Sequence, residues 1–306
     1  MSKLLYAGII RYTKSAFFWV AMVMSVIVGV SSRRISINAC IIFELLLLAA
    51  LFSLSVGREY SDGGFRNKLI AGHTKGTVFF SEILLSVSVC MILYIAAAIP
   101  AVIIKHEYFT QIYPMRYEDM SGIWYLFKAF LGVGLVHVCV VVICIFISML
   151  ISQKATASVI NIFLIIALYF VASEVNMALI NSQYVYIPTD TYEAQPFEEG
   201  GAYEEPENGE DGYIRHDNPN YISGAKRVIY EIVCNVLPEG QAIRYYYICP
   251  DIAYNSYYDE VSNRSMSVGE SEEIMSAIDH MPLYSLGVII VFTVAGYALF
   301  RKKDLK

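Results

Sequence analysis

The sequence predicts an all-α membrane protein of six transmembrane helices. An N-terminal interfacial helix, a short cytoplasmic helix between spans 2 and 3, and an α-containing extracytoplasmic insert between spans 5 and 6 complete the plan. Three observations carry this. The chain of 306 residues is 57% hydrophobic and only 16% charged, and its mean hydropathy is +0.51, well above the apolar share of water-exposed domains. Several apolar runs are as long as a bilayer crossing requires, about 20 residues. The net charge of −6 also divides into separate regions, cations beside the spans and carboxylates in one long polar stretch.

Residues 2–14 form an amphipathic helix, with Lys3, Arg11 and Lys14 in one arc and Leu5, Ile9 and Tyr12 in the other. Such a segment lies along a membrane surface with its cations towards headgroups, or is a simple cytoplasmic extension of the first span. The spans fall near 16–32, 37–56, 78–104, 122–151, 155–180 and 283–300. The first lacks a small-residue cleavage site, so it reads as a span and not as a cleaved leader. The fourth is longer than a bilayer requires and tilts or begins at the surface.

Lys3, Arg11, Lys14, Arg58, Arg66, Lys68, Lys75, Lys154, Arg301, Lys302, Lys303 and Lys306 fall on one side, against Arg33, Arg34, Lys105 and Arg116 in the short loops opposite. The positive-inside bias puts both termini and the loop 57–75 in the cytoplasm. Three regions follow: spans 1–5 in residues 1–181, an extracytoplasmic domain in 182–281, and the last span with its basic tail in 282–306.

The loop 57–75 is dense in charge and reads as one short helix. Asp62 is placed to cap its start, and Gly72 supplies the left-handed residue that ends it. Phe65 and Leu69, four apart, share a face. Arg66 and Lys68 point elsewhere.

Between residues 188 and 219 the insert carries Glu193, Glu198, Glu199, Glu204, Glu205, Glu207, Glu210 and Asp211 among Gly, Pro and Tyr. With few aliphatics to bury, it reads as a solvated acidic loop, and no twelve-residue calcium loop is present. Residues 226–243 place Val228, Ile229, Ile232, Val233, Val236 and Leu237 at helical spacing, ending at Leu237-Pro238-Glu239-Gly240. Tyr245, Tyr246, Tyr247, Tyr254, Tyr257 and Tyr258 suit an interfacial belt or a peptide-binding surface. Residues 271–281 read as a short helix, with Pro282 in the first turn of the last span. Cys40, Cys90, Cys139 and Cys144 lie in apolar runs and act as small hydrophobes. Cys234 and Cys249 share the insert and are a candidate disulfide.

No phosphate-cradling Gly-x-x-x-x-Gly-Lys-Ser/Thr loop is present, so this chain does not hydrolyse ATP by that route. Neither a Gly-x-Ser-x-Gly elbow nor a His-Glu-x-x-His zinc site occurs. His137 in the fourth span therefore reads as a helix-bonding group more readily than as a catalyst. Glu44 lies within the second span, where a carboxylate near the bilayer centre costs about 2.5–3.5 kcal/mol on insertion scales. Glu44, Lys128 and His137 form a candidate translocation path, with Glu44 paired to Lys128 or both reaching the outer surface.

The run Arg58-Glu59-Tyr60, Asp62-Gly63, Arg66-Asn67-Lys68-Leu69-Ile70 and Gly72-His73 resembles the cytoplasmic loop after the second span of ABC-2 type permeases, the membrane subunits of ABC exporters. The resemblance also covers the six-span plan and the basic tail, but not residues 182–280. It implies that the loop is a coupling helix docking on a separate ATPase subunit. Phe65 and Leu69 would fill a groove there, with Arg58, Glu59, Asp62, Arg66 and Lys68 in charged contacts around it. It further implies a bacterial plasma-membrane transporter that is not itself an enzyme. Two ATPase copies would hold ATP and magnesium, a second permease copy, identical or related, would complete the assembly, and lipid but no nucleic acid would be a partner. A peptide substrate such as a lantibiotic-like antimicrobial fits the acidic insert. An ion-gradient-driven transporter and a membrane-anchored peptide-binding or sensory protein remain as alternatives.

Overall fold

The structure, a computed structural model, describes residues 1–32, 34, 37–112, 120–151, 153–181, 183–188, 213–245 and 268–303. Helices dominate. In chain order they are α1 (Ser2–Thr13), α2 (Ala16–Ser31), α3 (Ile37–Ser61), α4 (Gly64–Ile70), α5 (Lys75–Ile112), α6 (Met120–Ile151) and α7 (Lys154–Ile180). Two strands, β1 (Tyr184–Pro188) and β2 (Tyr213–Asp217), pair antiparallel with Tyr184 opposite Asp217. Then follow α8 (Gly224–Val236), a helical segment α9 described over residues 238–245, and α10 (Val268–Lys302).

Among the described residues five helices are long and apolar enough to cross a membrane, over Ala39–Ser61, Lys75–Ile104, Phe130–Ile151, Lys154–Leu179 and Asp279–Lys302. The pair α1 and α2, bent by 71°, makes a sixth candidate. The chain is thus a multi-pass, all-α membrane protein. The bend at residues 14–15 has a local cause. The indole nitrogen of Trp19 donates to the Thr13 carbonyl at 2.8 Å, occupying an acceptor that a continuing helix would have used.

Packing follows the apolar pattern. α10 lies on α6, α3 lies between α6 and α7, and α2 packs on α5. One buried cluster joins Tyr12, Phe52, Phe65, Phe79, Val141, Ile145 and Phe300. A second joins Ile41, Leu45, Ala49, Val136, Val140, Cys144 and Ile165 to Ala242, Tyr245 and Met281. Between α3, α6 and α7 the buried Asn161 amide donates to Ser53 Oγ at 2.6 Å, to the Cys144 carbonyl at 3.1 Å and to Ser148 Oγ at 3.1 Å.

Several expectations change. α3 continues past residue 56 to Ser61 and takes in the first residues of the loop 57–75. Pro282 lies inside α10 and not at its start, so the boundary drawn at 281/282 falls within one helix. The helix expected over 226–243 ends at Val236, bends at Leu237 and resumes as α9, because Pro238 has no amide proton to continue the ladder. α9 is buried and joins the second cluster, so this part of the insert belongs to the membrane bundle. The strand pair falls partly in the stretch read as loop. The acidic run from Glu193 to Asp211, Tyr246 to Tyr258, Cys249, Arg33, Arg116 and Lys306 lie outside the described residues.

Asn161 yields the first prediction. Replacing it with alanine removes donors that tie α7 to α3 and α6, and the purified protein should lose about 1 kcal/mol, the scale of an interhelical hydrogen bond in a membrane. Thermal unfolding in detergent reads this as a lower midpoint with helix content unchanged. An unchanged midpoint would show that the contact adds nothing.

Candidate functional site

The loop 57–75 closes into a compact corner. After α3, the backbone turns at Asp62 and Gly63, whose φ of 70° lies in the left-handed region. The Asp62 amide still donates back to the Arg58 carbonyl at 2.9 Å. Asp62 does not cap α4. Gly63 holds the cap position and no side chain bonds there, while the Asp62 carboxylate accepts from Ser61 Oγ at 3.0 Å. Gly72, at φ 87°, does end the helix. Its amide donates to Leu69 at 3.0 Å and that of His73 donates to Lys68 at 3.2 Å, the paired bonds of a Schellman ending. Thr74 then opens α5 by accepting from the Thr77 amide at 3.2 Å.

Phe65 and Leu69 do share a face, but it points inward. Phe65 is 1% exposed and stacks edge-on against Tyr60 at 4.8 Å and Phe300 at 5.5 Å. Leu69 packs on the same cluster. The expectation that these two present themselves to a partner is therefore corrected. A seven-residue helix tied at both ends to apolar spans meets the open end of the bundle first, and its apolar side closes that end.

Glu59 and Lys68, expected at the rim of a docking surface, are instead joined within the chain. Arg11 of α1 bonds Glu59 and also reaches Glu82 of α5 at 2.8 Å. Lys68 lies 2.7 Å from Glu59 and 3.5 Å from Glu82. The charges alternate around a closed ring, so each carboxylate has two cations and each cation two carboxylates. Glu82 is 1% exposed. Burial lowers the Lys68 amine below its usual value, against the pull of Glu82. Sequence reading missed Arg11 and Glu82. The available signal was a second carboxylate inside an apolar run, four residues after Val78.

Five loop residues face outward. Arg58, Asp62, Arg66, Asn67 and Ile70 are exposed, and Ile70 reaches 73%. Arg66, Asn67 and Ile70 share the outer face of α4, one apolar side chain among polar ones. Ile70 was absent from the expected set. Nearby, Lys75 donates to the carbonyls of Arg301 at 3.0 Å and Lys303 at 2.8 Å. Lys303 donates to Leu150 at 3.1 Å and lies 4.7 Å above the Tyr60 ring. The N-terminal helix, the loop and the end of α10 thus meet at one end of the bundle.

The other candidates are scattered. Glu44 is 2% exposed and accepts from Ser25 of α2 at 2.8 Å, while its second oxygen has no hydrogen-bond partner among the described residues. It is not paired with Lys128, which lies 2.5 Å from Asp279. A residue at 128 stands near the start of its span, several turns from the depth of Glu44, and meets α10 first. His137 bonds the carbonyl of Val133, one turn back on its own helix, at 2.7 Å and packs on Tyr94 at 4.8 Å. The three do not form one path. Cys234 is a buried thiol, and its candidate disulfide partner Cys249 lies outside the described residues. It faces the tight turn into α9, where a side chain on Gly240 would lie 2.5 Å from the Cys234 carbonyl oxygen. No group of three or more metal-ligating side chains occurs among the described residues.

Two outcomes test this geometry. Phe65→Ala should cost about 3–5 kcal/mol, as for other buried rings, and lower the unfolding midpoint. Glu82→Ala leaves Arg11 and Lys68 sharing Glu59 alone and should cost about 2 kcal/mol, between exposed and buried pairs. Adding Arg11→Ala should then cost less than it does in the intact ring. Strictly additive losses in this cycle would show that the charges do not act together. The chain matches no protein-family model, no curated protein and no solved structure.

Proposed function

We propose that this chain is the membrane subunit of an ATP-driven exporter, with α4 as the coupling helix that receives a separate ATPase. The observation that carries the reading is the outward face of α4. Ile70 stands exposed among Arg58, Asp62, Arg66 and Asn67, while the opposite face is fixed to the bundle by Phe65 and by the charge ring. A grip on Ile70 would pass to α3 and α5 at once, because α4 is joined to both by single tight turns. Motion would then shift whole helices between two packings, as interfaces of this kind do.

The resemblance of residues 58–73 to the permease loop supports the same reading. On it, the termini and α4 are cytoplasmic in a bacterial plasma membrane. Two ATPase subunits carry ATP and magnesium, and a second permease copy completes the path. The carboxylate-rich stretch from Glu193 to Asp211 favours a cationic peptide as cargo, through steering and not tight specificity.

Purification of the full chain from native membranes in mild detergent, with mass spectrometry of its companions, is the first experiment. The expected result is a stoichiometric companion carrying a phosphate-binding loop. Purification alone, under conditions that hold other membrane complexes together, favours an ion-driven transporter or an anchored receptor. Arg66→Ala with Ile70→Ala should leave insertion and melting unchanged while releasing that companion or uncoupling its ATP hydrolysis. Retention of full coupling would move the docking face elsewhere.

A further inference from the structure

Helix glycines in this bundle mark places where a neighbour presses on the backbone. A side chain at Gly29 would run into the Ala97 carbonyl, and one at Gly296 would meet the Phe79 ring at 3.2 Å. Gly63, Gly72 and Gly224 have open surroundings, but their positive φ angles explain them. Gly287 fits neither account. A Cβ there would meet nothing within 4 Å among the described residues, and the residue lies in the regular backbone of α10. Glycine inside a helix costs about 1 kcal/mol relative to alanine, so the space it leaves requires a reason.

That space is a groove of about 550 Å³ between α8 and α10, lined by Val236, Leu283, Tyr284, Val288, Val291 and Phe292, with His280 at its mouth. From residue 280 to 292 it follows α10 for about 18 Å at 1.5 Å per residue, close to the depth of one leaflet, about 15 Å of hydrocarbon. It starts where the last candidate span starts, at Asp279, and lies at the end of α10 away from Lys303. The leaflet concerned is the one opposite the charge ring. The groove opens onto apolar surface already turned outward, with Leu283 64%, Ile290 60% and Val291 63% exposed. On α8, Val228, Ile229, Ile232 and Val236 extend that surface along one exposed stripe.

We propose that this groove holds one acyl chain of a bilayer phospholipid, with α8 lying in the interface above it as a clamp. A methylene chain laid along α10 beside Val236 would span the groove from His280 to Phe292. The surface around the groove is continuous with helices that face lipid, so the occupant arrives from the bilayer without crossing water. The Lys128–Asp279 pair and His280 stand at headgroup level, where polar side chains meet the interface.

The test uses the full chain in nanodiscs of phosphatidylcholine carrying a diazirine at the acyl terminus. After irradiation, the peptides covering 228–236 and 281–292 should be labelled well above the exposed face of α7 at Phe163 and Phe170. Gly287→Leu places a side chain in the open space, where its Cβ meets no neighbour among the described residues. It should cut labelling of those two peptides at least fivefold, leave α7 labelling unchanged and preserve the melting midpoint. Native mass spectrometry of the unmodified protein should retain one phosphatidylcholine per chain through a detergent wash, which keeps the question open to answer if Gly287→Leu does not fold. Labelling unchanged by the substitution, or reduced equally on α7, would mean ordinary annular lipid and overturn the proposal. So would the absence of a retained lipid, or a dimer that Gly287→Leu dissociates, which would assign the groove to a second copy.

Discussion

Two carboxylates and two cations meet where four separate helices end at the membrane surface, and each is tolerable there because of the others. A carboxylate as enclosed as Glu82 would carry a heavy desolvation penalty alone. Placed between Arg11 and Lys68, it becomes the point through which α1, α3, α4 and α5 are held together. The constraint is geometric as well as electrostatic. The guanidinium of Arg11 is a flat fork that serves two acceptors at fixed angles, so α1 must lie along the bundle at one particular height. Phe65 and Phe300 fill the space beneath the ring with aromatic edges. The polar ring and its apolar floor give α4 a fixed seat.

Much of the fold was legible because bilayer crossing imposes a coarse requirement on sequence. Length and apolarity alone located the cores of the helices, and Gly72 marked a helix ending whose bonds it indeed completes. What sequence could not supply was direction. Phe65 and Leu69 spaced four apart state only that a face exists; whether it turns to the bundle or to a partner depends on the tertiary setting. The same holds for Glu59 and Lys68, which look alike as surface charges until Arg11, forty-eight positions from Glu59, comes into contact. Glu44 could be recognised as buried and costly, yet its donor proved to be Ser25, a residue with no distinguishing pattern around it. Pro282 and Pro238 look equivalent in sequence. One lies within a helix and the other opens a new one, after Leu237 has turned to an extended ψ of 127°.

The insert shows the limit of composition as a guide. Its carboxylate-rich part invited a view of the whole stretch as a separate outer domain. Residues 238–245 contradict this for their own part. Gln241 accepts from Ser285 of α10 at 2.6 Å and donates to Asn235 of α8 at 2.6 Å, and Arg244 reaches the Asn235 side chain at 2.7 Å. These bonds satisfy polar groups that would be expensive inside a bundle, and they allow a hydrophilic-looking segment to lie in an apolar setting.

That buried segment also sets an order of construction. The cluster around Leu45, Val140 and Ile165 is contributed by helices made early in synthesis, whereas Ala242, Tyr245 and Met281 emerge from the ribosome only after all of those helices. Until then the bundle has an unfilled centre, open on the side where the insert is being delivered. A chain arrested before residue 238 would hold most of its spans and still lack the wedge that makes them one body. Such a chain would carry nearly every span without the contacts that Ala242, Tyr245 and Met281 make with them.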